Sequence, residues 1–150
     1  MRLLETLSII FLDQITKYIV ITSVKGKIKI TSFFNIVCTK NKGVIFGLMS
    51  NLSFFYVLII AINLAAIAIL LIWSFRLGNN LLASLGISFI IGGAIGNFID
   101  RIIYGAVIDF LDFHIGKYHW PAFNIADSAI TFGTILLAIG LFSKDASKSV

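Results

Sequence analysis

Four long apolar stretches alternate with more polar connections along this chain. They run from about Leu3 to Ser23, Ser53 to about Phe75, about Leu81 to Ile99, and about Asn124 to Phe142. Each is near the ~20 residues that a helix needs to cross the hydrocarbon core of a bilayer. The pattern predicts four transmembrane helices. The second stretch is the cleanest, with no charged residue. The third is rich in small residues, and Gly92 and Gly96 form a G-x-x-x-G pair that lets helix backbones approach closely.

The connections differ in kind. Arg76 to Asn80 is a short turn. The segment from Val24 to Leu52 is long and partly strand-like: Lys27-Ile28-Lys29-Ile30 alternates, and Phe33 to Thr39 is β-prone. The segment from Arg101 to Ala122 also begins strand-like, then reaches Tyr118 and Trp120, which suit an interfacial aromatic belt. These features predict a small sheet resting on the membrane surface. Four spans would put both termini on one side and both long connections on the other. The fold class is therefore mainly α, a polytopic membrane domain over residues 1–150 with a small β-sheet.

Composition sharpens this picture. Hydrophobic residues make up 59% of the 150 residues, with one Pro. A soluble domain of this length needs more polar surface. The net charge of +5 fits lysines near lipid headgroups, and no basic helix face points to nucleic acid. One cysteine, Cys38, excludes an internal disulfide and a cysteine-cluster zinc site. The first stretch contains Asp13 and Lys17 and lacks a small-residue cleavage site, so it reads as a mature helix and not a secretory signal.

Against this background the carboxylates stand out. Asp13, Asp100, Asp109 and Asp127 lie inside or at the edges of the apolar stretches, where an ionised group is costly and is a functional candidate by default. Asp13 and Lys17 are spaced for an intrahelical ion pair, which either neutralises itself or orders polar groups around a site. Asp100 and Arg101 share a helix face with Asn97, either as a local interfacial pair or as a polar scaffold. Asn35 and the run Thr39 to Gly43 suit turns, while Asn41 could instead hydrogen-bond an extended substrate backbone. Asp109 and Asp112 fall in one short cluster, and one of the two can simply be solvated. Asn124 and Asp127 are spaced as an N-cap and a third helical residue, a capping arrangement that competes with a catalytic role. Span counting brings Asp109 and Asp127 to the same membrane face. Two aspartates held together can share a proton and activate a water.

Other chemistries are disfavoured. His114 and His119 read as interfacial polar residues, since there is no H-E-x-x-H or C-x-x-C. No G-x-S-x-G or Ser-Lys dyad is present. A small proton-coupled transporter is the alternative that intramembrane acids also permit, although no inverted repeat supports it.

Five segments, in order, carry a resemblance. They are Asp13-Gln14-Ile15-Thr16-Lys17, then Asn41-Lys42-Gly43-Val44-Ile45-Phe46-Gly47, then Gly92 to Arg101, then Val107-Ile108-Asp109-Phe110, and last Phe123-Asn124-Ile125-Ala126-Asp127-Ser128. Together they resemble bacterial lipoprotein signal peptidase, or signal peptidase II. The resemblance implies an aspartic endopeptidase of the bacterial plasma (inner) membrane that works without metal or cofactor. Its substrates would be prolipoproteins carrying diacylglycerol on a cysteine, cut just before that cysteine, and its partners would otherwise be membrane lipid. The enzyme is expected to be a monomer. The catalytic pair maps onto Asp109 and Asp127. Residues that bind substrate or support the site map onto Asp13, Lys17, Asn41, Gly93, Asn97, Arg101, Asn124 and Ala126.

The resemblance also implies cytoplasmic termini and an extracytoplasmic sheet and site. Lysine counting points the other way, because Lys25, Lys27, Lys29, Lys40, Lys42, Arg101 and Lys117 lie on the long connections. The motifs outweigh that bias, since an active site must face exported substrates. One departure is notable: Val44 and Ile45 stand where the family usually has small residues.

Overall fold

The computed structural model describes residues 2–43, 52–77 and 80–146. The chain forms α1 (Leu3–Ser23), β1 (Ile28–Lys29), β2 (Phe34–Asn41), α2 (Leu52–Ser74), α3 (Leu81–Tyr104), β3 (Val107–Ile115), β4 (Tyr118–His119) and α4 (Ile125–Ala146). The fold is mainly helical with a small antiparallel sheet. The segments Phe54–Ser74, Leu81–Tyr104 and Ile125–Ser143 are long and apolar enough to cross a membrane. With 21 residues α1 has the length as well, but Glu5, Asp13 and Lys17 dilute its apolar content. Composition therefore supports three spans directly.

Helix α3 runs about a turn beyond the predicted end at Ile99. Asp100 and Arg101 looked like the limit of the apolar run. Asp100 is instead fully buried beside Lys17, so the helix continues until Gly105, whose left-handed φ of 66° ends it. α3 is the central helix. Its Ala83, Ile87 and Ile91 pack with Leu137 of α4 and with Leu77 in the apolar core. By contrast α2 presents apolar side chains outward, among them Phe54, Val57, Ile62 and Ile69.

Small residues set the helix spacing around the site. A Cβ on Gly96 would meet the Asp13 carboxylate at 2.5 Å, and one on Gly93 would collide with the Ala126 carbonyl. Gly92 and Gly96 thus admit α1, while Gly93 admits α4. The glycine pair read from the sequence serves the contact with α1, and Gly93 on the adjoining face of α3 serves the contact with α4.

The strand order is β1-β2-β3-β4, each neighbour antiparallel. β2 and β3 pair from Phe34↔Phe113 to Asn41↔Val107, with a bulge between Ile36 and Thr39. The bulge keeps Thr39 opposite Asp109. After β4 the chain returns along β3. Leu111 and Phe123 exchange backbone hydrogen bonds, at 2.8 and 3.2 Å, just before α4 begins. The sheet and α4 are joined at that point, next to Asn124.

Candidate active site

Asp109 enters from β3 and Asp127 from the first turn of α4. Asn124 ties them together. Its side-chain amide donates to Asp109 Oδ1 at 2.7 Å, and its backbone N–H donates to Asp127 Oδ2 at 3.3 Å. Its own Oδ1 accepts from the Asp127 N–H at 2.9 Å. Asn124 and Asp127 therefore form the reciprocal capping arrangement that the spacing predicts. The cap and the site are one device: the hydrogen bonds that start α4 also fix where Asp127 stands.

Each carboxylate has one further amide partner. Asn41 Nδ2 donates to Asp109 Oδ2 at 3.0 Å, and Asn97 Nδ2 donates to Asp127 Oδ1 at 2.8 Å. Asn41 also accepts the Gly43 N–H at 2.9 Å, so its turn role and its site role coexist. Burial pushes the Asp109 carboxyl above its ordinary value, and the charge of Asp127 adds to this; the amides of Asn41 and Asn124 pull the other way.

Behind the pair lies a buried ion cluster. Lys17, 1% exposed, contacts Asp13 at 2.7 Å and Asp100 at 2.8 Å, and donates to Asn97 Oδ1 at 3.0 Å. Asp13 accepts the Ala126 N–H at 2.9 Å, and Asp100 accepts the Ile108 N–H at 3.0 Å. One cluster thus holds the backbone adjacent to Asp127 and the backbone adjacent to Asp109. Asp13 and Lys17 do more than neutralise each other. Asp100 pairs with Lys17, so of its two readings the polar scaffold fits and the local pair with Arg101 does not. Arg101 instead donates from Nη1 to the Asn97 carbonyl at 3.0 Å, and the Tyr56 hydroxyl donates to the Arg101 carbonyl.

The structure brings together Asp13, Lys17, Asn41, Gly93, Asn97, Arg101, Asn124, Ala126, Asp109 and Asp127 around this cluster. Val44 and Ile45 lie outside the described residues. Three groups were not foreseen. Gln14 donates to Asp13, Asp100 and the Gly96 carbonyl at 3.1–3.2 Å; its position one residue after Asp13 was the available signal. Asp112 is 5% exposed, not solvated, and Asn35 sits buried in β2, not in a turn. Asn35 Nδ2 donates to Asp112 at 2.8 Å, and His119 Nδ1 lies 2.6 Å from its other oxygen. The pairing Asn35↔Asp112 depends on the bulged β2–β3 register, which no local pattern specifies.

A cavity of about 580 Å³ opens beside Asp127, lined by Trp120, Pro121, Phe123 and by Thr131, Phe132 and Ile135 of α4. An apolar groove with one acid in its wall suits a ligand with an apolar body and a reactive polar point.

Comparison with known proteins identifies the family. The family model described as signal peptidase (SPase) II matches residues 6–143. The chain belongs to the signal peptidase II family. It is 44% identical over 135 residues to the lipoprotein signal peptidase of Burkholderia thailandensis, covering 88% of this chain and 81% of that protein. A Burkholderia multivorans protein of the same name is 43% identical over the same coverage. Two solved structures of a bacterial membrane enzyme, determined in meso at 2.3 and 1.9 Å, superpose with TM-scores of 0.73 and 0.74. They are 36% and 38% identical and cover 97% and 92% of this chain, and 89% and 90% of their own. This chain is thus a membrane protein of a peptidase family.

Proposed function

We propose that the protein is an aspartic endopeptidase that removes signal peptides from diacylglyceryl-modified prolipoproteins, cutting before the lipidated cysteine. One observation carries the reading: Asn124 holds both Asp109 and Asp127, so that two carboxyls share one hydrogen-bonded site. Closely placed carboxyls do not readily both ionise, and one keeps a proton. The raised Asp109 is the proton holder in this proposal. Asp127 then takes a proton from a water as the water oxygen attacks the scissile carbonyl. Asp109 gives its proton to the carbonyl oxygen. Collapse of the tetrahedral adduct breaks the C–N bond, and a proton returned from the pair leaves with the amine.

The four-span topology belongs to the same proposal. α1 would cross as the fourth span because its charges are internally paired, with Asp13 and Lys17 buried against α3 and its outward residues apolar. Both termini would be cytoplasmic, and the sheet and site extracytoplasmic, in the bacterial inner membrane. Substrate affinity would come largely from acyl chains, at about 0.8 kcal/mol per buried methylene.

The deciding experiment incubates purified protein with one prolipoprotein in diacylated and non-lipidated forms, in the same detergent. Cleavage is expected for the diacylated form, with a far larger kcat/KM. Comparable values would leave a general membrane peptidase, and no cleavage of either would remove the peptidase reading for these substrates.

A further inference from the structure

The strongest chemistry outside the catalytic pair lies on the far side of β3. Asp112 takes one hydrogen bond from Asn35 of β2 and one from His119 of β4, at 2.8 and 2.6 Å. Its two oxygens therefore reach strands on both flanks. The His119 ring stacks on His114 at 4.7 Å between centroids, which fixes its plane. β4 has only two residues, so backbone pairing alone holds it weakly. The segment that follows β4 is Trp120 to Phe123, which docks back on β3 and delivers Asn124.

We propose that Asp112 and His119 form a clamp that positions Asn124, and through it the catalytic pair. The clamp secures the hairpin at one end of the returning segment. The Leu111–Phe123 backbone bonds secure the other end. Asn124 touches both catalytic carboxylates, so slack in this segment would shift their relative placement. Asp112 and His119 meet no reacting atom; they are positioning residues. The inference rests on the peptidase reading for its kinetic consequence but not for its structural one.

The geometry specifies which atom of His119 matters. Nδ1 faces Asp112, and the side chain is 42% exposed. An asparagine amide at this position reaches the place of Nδ1, whereas a glutamine amide extends toward the place of Nε2. The test compares His119→Ala, His119→Asn and His119→Gln by two measurements. The first is kcat and KM on a diacylated prolipoprotein in detergent. The second is amide hydrogen exchange across residues 118–124, which needs no activity.

His119→Ala and His119→Gln are expected to lose about tenfold in kcat with KM nearly unchanged, the scale of one lost hydrogen bond to a charged group. Exchange across 118–124 is expected to quicken in both. His119→Asn is expected to restore kcat and protection together. A glutamine variant that matches asparagine, or three variants that all behave as wild type, would overturn the clamp. Should His119→Ala fail to fold, the asparagine–glutamine contrast carries the test. Should wild type not cleave, the peptidase reading fails while exchange still decides the clamp.

Discussion

Asp109 and Asp112 stand three residues apart on one strand, on opposite faces, and almost equally covered, at 3% and 5% exposure. Their carboxyls are nonetheless pushed in opposite directions. Among the described residues Asp109 has only neutral amide donors, and burial with the nearby Asp127 charge raises its carboxyl above the ordinary value. Hydrogen bonds from His119 and Asn35 hold Asp112 below it and outweigh the effect of burial. Exposure does not separate the acid proposed for chemistry from the one proposed for structure. The partners do: Asp112 is met by a titratable imidazole as well as an amide, whereas Asp109 meets amides and the nearby charge of Asp127.

The anchored extreme is the cluster of Asp13, Lys17 and Asp100, and it supplies the largest expected effect. Lys17→Met would leave two fully buried carboxylates without their cation. Removing one partner of a buried ion pair costs about 3–5 kcal/mol. Thermal unfolding in detergent should show a severe loss of stability, with Asp13→Asn in the same background restoring part of it. A Lys17→Met protein as stable as wild type would show that these carboxylates are held by something other than charge.

Next in size is cleavage itself. Asp109→Asn and Asp127→Asn should each lower kcat by about 100-fold or more while the protein stays folded, because asparagine keeps the shape but cannot exchange a proton. Asp112→Asn should lose no more than about tenfold, the scale of a positioning hydrogen bond. Equal losses at positions 109 and 112 would erase the distinction between the two acids.

How much of this was legible in advance follows the same division. Asp109 and Asp127 were readable because an acid in an apolar stretch is conspicuous, and the Asn124–Asp127 spacing announced a cap. The helices were readable because their apolar runs are long; α1 begins and ends where its pattern predicts, although charges interrupt it. The extent of α3 was not, because whether Asp100 ends a helix depends on Lys17 of another helix. Asp112 and Asn35 were misread for the same reason, and the bond from His119 to Asp112 was not foreseen. Their partners are set by a bulged strand register, which is a tertiary fact, and each residue alone looks like a polar surface group.

The two acids should also differ in how pH acts on stability. For Asp109 the folded value is raised, so its favourable contribution is complete below the ordinary 3.8 and is lost as pH rises through the raised value. Asp109→Asn should therefore gain on wild type across that window as pH increases. For Asp112 the folded value is lowered, so its contribution is complete above 3.8 and is lost as pH falls through the lowered value. Asp112→Asn should be less stable than wild type above 3.8, with the gap closing in acid. Melting temperatures of the three proteins against pH test this, and slopes of the same sign would contradict the comparison.

The smallest effect isolates a single amide. Asn41 and Asn35 each donate one side-chain hydrogen bond to an acid of β3, Asn41 to Asp109 and Asn35 to Asp112. Asn41 favours the ionised form of Asp109, so its loss lets the carboxyl rise further. If Asp109 is the proton donor in cleavage, activity is lost on the alkaline side as Asp109 ionises. Asn41→Ala should then move that alkaline limb to higher pH, with kcat at the optimum changed by less than about tenfold. Asn35→Ala removes a bond of similar length on the same strand but from the wrong acid, so it should leave the limb in place and act only on stability. A limb that moves with Asn35, or stays put with Asn41, would assign the alkaline ionisation to a group other than Asp109.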